Sequence, residues 1–456
     1  MIQIHPRDTV EVDPYTGHKY ALKPISPGEP VIKYGFPIGI ATASIAKREW
    51  VHTHNLKTAL QEGGQYHYQP SHHQLPPGRP KDTFLGYRRE NGEVGIRNDI
   101  WILPTVGCVN QLALALARET GAFAFPHPYG CSQLGEDLEM TKTILCALAG
   151  HPNAGGVLIL GLGCENNRIQ ELGLTPSPRL SCLNAQDCQD EMAQGIATIQ
   201  GLQRHAARDQ RRAIPVSELK IGLKCGGSDG LSGITANPLV GRICDQIVEQ
   251  GGGCILTEVP EMFGAETILM NRCETEELFF KTVDMIQRFQ TYFIRHGQPI
   301  WENPSPGNKE GGITTLEEKS LGCIQKGGQA PVTDVLRPGQ QATKRGLSLL
   351  YGPGNDLVSM TLLAASGAHM ILFTTGRGTP AGSCVPTLKI STNSALAEQK
   401  PGWIDFNAGG LIEQSSWEAE AGRLYQLILK TANGQEAKHE QKGYREIAIF
   451  KDGVTL

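Results

Sequence analysis

Apolar positions in this chain follow two rhythms. Up to residue 68 they come in short runs, Lys19–Leu22, Val31–Tyr34 and Ile38–Ala41, cut by turns such as Ser26-Pro27-Gly28 and Phe36-Pro37. Short runs bounded by Pro and Gly predict strands joined by tight turns. Residues 1–68 are therefore read as a small β-rich module. Residues 69–82, QPSHHQLPPGRPKD, offer little to bury, and their prolines stiffen them, so they read as a linker. From residue 83 strand-length runs alternate with helix-length segments. Ile100–Val106 precedes a helical stretch, Gln111–Glu119. Val157–Leu162, Leu219–Leu223 and Cys254–Val259 are further strand candidates, ahead of a helix over Glu276–Ile294. This alternation predicts α/β architecture with a mostly parallel sheet. The Pro/Gly loop Asn303–Gly312 marks an inner boundary, dividing an α/β unit at 83–302 from a C-terminal α/β unit at 303–456. The latter carries strand candidates Leu347–Leu350 and Met370–Thr374 and a helix over Trp417–Ala432.

Composition narrows the function. Of 456 residues 39% are hydrophobic and 19% charged, enough for a packed core and too few charges for a disordered chain. The net charge is −4, and the basic runs Arg88-Arg89 and Arg211-Arg212 are short, so no nucleic-acid partner is expected. No apolar stretch approaches the ~20 residues that span a bilayer. The start, MIQIHPRDTVEVD, lacks a signal-peptide pattern. A cytoplasmic location without membrane contact is the expectation. Glycine is abundant, 54 residues, which implies many tight turns and backbone-lined sites. Twelve cysteines without a CxxC pair point to metal binding, catalysis or burial rather than a disulfide framework.

Four cysteines share one context: WILPTVGC ends at Cys108, FAFPHPYGC at Cys131, LILGLGC at Cys164 and LKIGLKC at Cys225. If the preceding runs are parallel strands, all four thiols lie at carboxyl ends, where open α/β sheets bind ligands. Thiolates suit iron or zinc, and several converging ones hold an iron–sulfur cluster. Free cysteine is also among the most buried residue types. Cys146, Cys182, Cys188, Cys244, Cys254, Cys273, Cys323 and Cys384 lack the shared context and read as filler. Glu165, directly after Cys164, is a candidate metal ligand.

His18 and the segment VHTHN (51–55) place three imidazoles in the β-rich module. In a strand His52 and His54 would share a face, fit for a metal or for proton transfer. Solvated surface histidines are the alternative. His72-His73 sit in the linker and read as inert. The loop CGGSDGLSGITANP (225–238) exposes backbone N–H groups beside Ser228 and Asp229, a nest for a carboxylate or polyol. It lacks the Lys-Ser/Thr of a phosphate loop. PSPGNKEGG (304–312) adds Asn308 and Lys309, GPGND (352–356) adds Asn355, and TTGRGTPAG (374–382) adds Arg377, a bidentate carboxylate clamp.

The segments GYRRENGEVGIRNDIWILPTVGCVN (86–110), HPYGCSQLGED (127–137), LGLGCENN (160–167), GLKCGGSDGLSGITANP (222–238), NPSPGNKEGGITTLEEKSLG (303–322) and TTGRGTPAG (374–382) together resemble the altronate/galactarate dehydratase family. GHKYAL and VIKYGFPIG resemble its N-terminal SAF (β-clip) module. The resemblance implies a hydro-lyase of hexuronate catabolism that dehydrates D-altronate to 2-keto-3-deoxy-D-gluconate. It implies iron(II), with manganese as a substitute. From the residues themselves, Cys108, Cys131 and Cys164, with Cys225 nearby and Glu165, are expected to hold the metal, as an iron–sulfur cluster or, alternatively, as a mononuclear iron on His and carboxylate ligands. His18, His52 and His54, as acid/base groups or metal ligands, and Lys309 are the catalytic candidates, Ser228, Asp229, Asn308, Asn355 and Arg377 the substrate-binding ones, and a homo-oligomer is expected. Galactarate dehydration, sulfolactate sulfo-lyase activity and a non-catalytic sugar-acid sensor are the competing readings.

Overall fold

A computed structural model describes residues 1–60, 64–71, 82–413 and 415–453. His72, His73 and most of the expected linker lie outside them. The N-terminal module is two small antiparallel sheets, Val10–Val12, Lys19–Ala21 and Trp50–Val51 in one, and Pro30–Lys33, Phe36–Ala41 and Leu56–Lys57 in the other. Alternate residues of Val10–Val12, Lys19–Ala21 and Pro30–Lys33 are buried, as a half-covered antiparallel sheet requires. Tyr34 and Gly35, both at positive φ, make the two-residue turn between Lys33 and Phe36.

Two parallel sheets follow. The smaller has the strand order Phe123–Ala124, Asp99–Pro104, Ala154–Gly161, Leu180–Asn184. The larger has seven strands, ordered Val332–Leu336, Gly346–Leu350, Gly253–Leu256, Lys220–Cys225, Met370–Thr375, Thr387–Ser391, Phe406–Asn407. All six residues of Met370–Thr375 and all five of Gly346–Leu350 are buried, the signature of a parallel sheet covered on both faces. The expected α/β class with a mostly parallel sheet is what forms. The expected boundary at 303 is corrected, because strands from both sides of it interleave in the seven-stranded sheet.

Helices Asn110–Thr120, Glu276–Arg295 and Trp417–Ala432 stand where the periodicity puts them. Thr275 and Ser416 cap the last two by accepting the N–H of Leu278 and Ala419. The N-terminal module is not a free appendage. Val10, Val31, Ile38 and Val51 share one hydrophobic core with Leu316, Leu321 and Ile324 of the larger unit. At that junction the Glu318 carboxylate lies 2.8 Å from both the Lys19 and Lys33 ammonium groups, all fully buried.

Candidate active site

Loops 226–235, 303–312 and 376–382 meet above the carboxyl ends of Lys220–Cys225 and Met370–Thr375. Gly226 N–H donates to Thr374 O at 3.0 Å, Arg377 N–H to Gly227 O at 3.1 Å, and Gly230 N–H to Gly311 O at 2.6 Å. The N-terminal module closes one side. A Cβ on Gly230 would stand 2.0 Å from Gly17 O, so only glycine lets the two backbones approach. Lys19 Nζ donates to Gly312 O at 2.8 Å and to Thr314 Oγ1 at 2.6 Å, tying the same turn down. This is the place at which open α/β sheets bind ligands.

Several residues expected to touch substrate instead join the loops to one another. Asp229 accepts from Leu231 N–H and Ser232 Oγ on one oxygen, and from Thr392 Oγ1 and Asn393 Nδ2 on the other. Burial pushes its carboxyl up in spite of these donors. Asn308 is buried. Its Oδ1 accepts from Ser305 and Lys319, and its Nδ2 donates to Ser228 O at 2.8 Å. Asn355 caps the Asp356–Ala365 helix by accepting Val358 N–H. Ser228 is buried and serves through its carbonyl. Arg377 is different. It is half-exposed, and one guanidinium nitrogen reaches Gly307 O and Glu310 while the rest of the fork stays open.

The histidines also divide. His52 and His54 do not share a strand face: the strand ends at Val51, and His52 N–H bonds to Asn55 Oδ1 in a turn. His52 Nε2 lies 2.9 Å from Lys309 O, and a carbonyl accepts only, so Nε2 carries the proton. Its Nδ1 then accepts from Thr53 Oγ1. Both nitrogens are occupied, and His52 fixes the Lys309 backbone. Trp50, which no motif singled out, contacts all three imidazoles, at ring separations of 5.4 Å from His18, 4.9 Å from His52 and 5.1 Å from His54. Its indole N–H donates to His18 Nδ1 at 3.3 Å, which leaves the neutral His18 proton on Nε2. Burial and the Lys19 charge pull His18 below its ordinary value, so it is neutral at pH 7. His54 is exposed, and the Lys309 ammonium has no hydrogen-bond partner among the described residues.

Three of the four cysteines sit as their context suggested, exposed on loops at the carboxyl ends of the smaller sheet: Cys108, Cys131 and Cys164. The loops are stitched together by Gly107 N–H to Tyr129 O at 3.0 Å, Asn167 N–H to Gly130 O at 2.9 Å, and Ser132 N–H to Asn166 Oδ1 at 2.9 Å. The three thiols do not all lie within 4.8 Å of one another, so they form no ready-made site for one tetrahedral ion. Asn167 Oδ1, buried beside them, has no partner among the described residues. Glu165 is not a free ligand. Burial would raise its carboxyl, yet Thr105 Oγ1 and the N–H groups of Gly163 and Leu162 hold it low, and it braces the Cys164 loop. Tyr129, Leu357, Val358 and Ala381 pack on one hydrophobic cluster that spans both sheets.

Cys225 does not join that trio. It is buried at the end of its strand, with Sγ 3.3 Å from Cys323 Sγ, a residue read from sequence as filler. Glu261 Oε2 accepts from both thiols, at 3.2 and 3.0 Å. Cys225, Glu261 and Cys323 have the spacing of a metal triad, but ammonium groups already occupy the surroundings. Lys326 Nζ lies 2.9 Å from Cys225 Sγ and 3.0 Å from Glu258, Lys319 Nζ lies 2.8 Å from Glu261, and Lys224 pairs with Glu258. Three cations around the triad oppose a fourth.

Comparison with known proteins matches this layout segment by segment. Residues 9–59 match the altronate/galactarate dehydratase SAF domain, 86–207 the D-galactarate dehydratase/altronate hydrolase second domain, and 216–455 the D-galactarate/altronate dehydratase C-terminal domain. The chain is 52% identical to the altronate dehydratase of Bacillus subtilis (strain 168), over 98% of this chain and 93% of that one. It is 50% identical to the altronate dehydratase of Escherichia coli (strain K12), over 98% and 94%. The galactarate dehydratase (L-threo-forming) of the same Escherichia coli strain is 33% identical, over 95% and 89%. With each of the three segments in place and in order, the chain belongs to the altronate/galactarate dehydratase family.

Proposed function

We propose that this protein is a hydro-lyase that dehydrates D-altronate to 2-keto-3-deoxy-D-gluconate and water in hexuronate catabolism. The observation that carries the reading is near-complete alignment at 50% identity or more with two altronate dehydratases, against 33% for the galactarate enzyme. Cytoplasmic location and a homo-oligomer are part of the proposal. No described helix is long and apolar enough to cross a membrane.

Dehydration removes a proton from C2, next to the carboxylate, and hydroxide from C3; the resulting enol tautomerises to the keto acid. In this reading the open fork of Arg377 clamps the carboxylate, and the Gly-loop amides add donors as its charge grows. His18 Nε2–H and the Lys309 ammonium donate to the departing hydroxyl. His54, the one of the three imidazoles with no nitrogen engaged among the described residues, takes the C2 proton. His52 and Trp50 position this set.

Cys108, Cys131 and Cys164 would hold the iron, with Glu165 bracing the third loop from behind. Three exposed thiols on stitched loops, too far apart to close on one ion, fit an iron–sulfur cluster better than a single ion. When bound, such a group supplies Lewis-acid polarisation of a substrate oxygen. The test is anaerobic turnover of D-altronate and of galactarate, with and without added iron(II), detecting the 2-keto-3-deoxy product. Iron-dependent product from altronate is expected. Product from galactarate alone reassigns the substrate, and turnover of neither returns the sulfo-lyase and sensor readings.

A further inference from the structure

The buried cluster beneath the Gly loop is used by no step above. Cys225 ends the strand that opens into Gly226–Asp229. Cys323 ends the Leu316–Cys323 helix, whose Glu318 holds the N-terminal module and whose Lys319 holds Asn308. The two sulfurs therefore sit where the two supports of the cleft touch. They are separated by 98 positions of chain and are 1% and 4% exposed, with Sγ atoms 3.3 Å apart.

We propose that Cys225 and Cys323 are a dithiol modification site, closed to a disulfide by a small hydroperoxide. The contact needs to shorten only from 3.3 Å to the ~2.05 Å of an S–S bond. Lys326 Nζ donates to Cys225 Sγ at 2.9 Å, a cation placed against the sulfur that attacks. Cys323 is its complement: its hydrogen-bond contact with Cys225 and burial push its thiol well up, so it keeps its proton. In the first step Cys225 sulfur attacks one peroxide oxygen. The O–O bond breaks, the other oxygen leaves as hydroxide and takes the proton that the Cys225 thiol gives up, forming water, and Cys225 becomes a sulfenic acid. In the second step Cys323 sulfur attacks the Cys225 sulfur. The S–O bond breaks, and the departing hydroxide takes the Cys323 proton. One peroxide is reduced to two waters, and two thiols are oxidised by two electrons to one disulfide. Closure removes both donors from Glu261 Oε2 and shifts the root of the Gly loop against the helix that carries the N-terminal module.

The test uses the full-length native protein. It is reduced, treated with graded hydrogen peroxide, quenched with a thiol-alkylating reagent and digested without reductant. Mass spectrometry should find one cross-linked peptide pair joining Cys225 to Cys323, two hydrogens lighter than the separate peptides and released by dithiothreitol. The melting temperature should rise on oxidation and return on reduction. C323S should lose the cross-link and the rise together; should that variant not fold, the wild-type peptide map decides alone. Cys225 and Cys323 both alkylated as free thiols, while exposed Cys108, Cys131 and Cys164 are consumed, would overturn the proposal. So would one equivalent of zinc held by the pair and protecting both sulfurs from peroxide.

Discussion

Glu318 is the sharpest place to test how the N-terminal module is held over the cleft. One buried carboxylate faces two ammonium groups, each at 2.8 Å, and also accepts Thr314 N–H at 2.8 Å. Glu318→Gln keeps the shape and removes the charge, leaving Lys19 and Lys33 without their counter-ion. Burial alone would raise the carboxyl, but the two lysines hold it at about 2, against an ordinary 4.5. At ~1.4 kcal/mol per unit this depression corresponds to about 3 kcal/mol. The result matches the ~3–5 kcal/mol lost when one partner of a buried ion pair is removed. Because the folded-state value is depressed, the contribution is complete above pH 4.5 and is lost as pH falls toward 2. Lys19 shifts stability with pH in the same direction, in a higher window and as the relief of a penalty. Burial pulls it down to about 8 from 10.5, so the folded chain sheds that proton first and this group's stability term grows as pH rises between those values. Urea unfolding of wild type and E318Q by circular dichroism, at pH 7, through the acid range and between pH 8 and 10.5, measures both effects. E318Q should lose about 3 kcal/mol at pH 7 and show a flatter acid limb, and K33M in the E318Q background should cost less than K33M alone. An E318Q protein within ~0.5 kcal/mol of wild type, with the same acid limb, would refute the argument.

Other residues test the cleft. Arg377→Ala should raise KM for altronate at least tenfold in initial-rate assays, and Arg377→Lys should recover little, because an ammonium lacks the planar fork. Trp50→Phe keeps the ring and removes the donor to His18 Nδ1. It should lower kcat several-fold, ~1 kcal/mol for one hydrogen bond, and move the acid limb of the pH–rate profile upward as His18 becomes easier to protonate. Asp229→Asn puts an amide N–H₂ against groups that already donate, and should lower the unfolding free energy by ~1–3 kcal/mol. Glu165→Gln should loosen the Cys164 loop and reduce iron per chain by metal analysis while leaving the melting temperature near wild type; unchanged iron would remove Glu165 from the support of that loop.

Strands and helices with a clean period were legible. The helix Trp417–Ala432 has the bounds its pattern predicted, and Met370–Thr375 extends the predicted run by one residue. The Asp356–Ala365 helix escaped notice because it is apolar all round. Seven of its ten residues are buried, and a buried helix shows no stripe to read. The boundary at 303 failed for a related reason. A Pro/Gly loop looks the same whether it separates domains or returns the chain to a sheet it has already entered. Sheet membership depends on pairings such as Gly253–Leu256 with Gly346–Leu350, nearly a hundred residues apart.

The candidate site was legible by place more than by role. Glycine clusters marked the loops correctly, since loops that cross this closely need residues without a Cβ. The same clusters made each nearby polar side chain look like a ligand for substrate. Loops without helical or sheet ladders must satisfy their backbone and one another through side chains. Asp229, Asn308, Asn355 and Glu165 do that work, and each has at least one side-chain oxygen committed to a protein donor. Arg377, Lys309, His18 and His54 stand out only after the structure subtracts those commitments. Cys225 moved the other way, from a site expected at the surface to a buried contact with Cys323, because its strand lies at the centre of the larger sheet rather than in the sheet of the other three thiols. Local context told which residues end strands. Which strand ends face the same space is a property of strand order, and strand order here is set by pairings between segments that no local pattern connects.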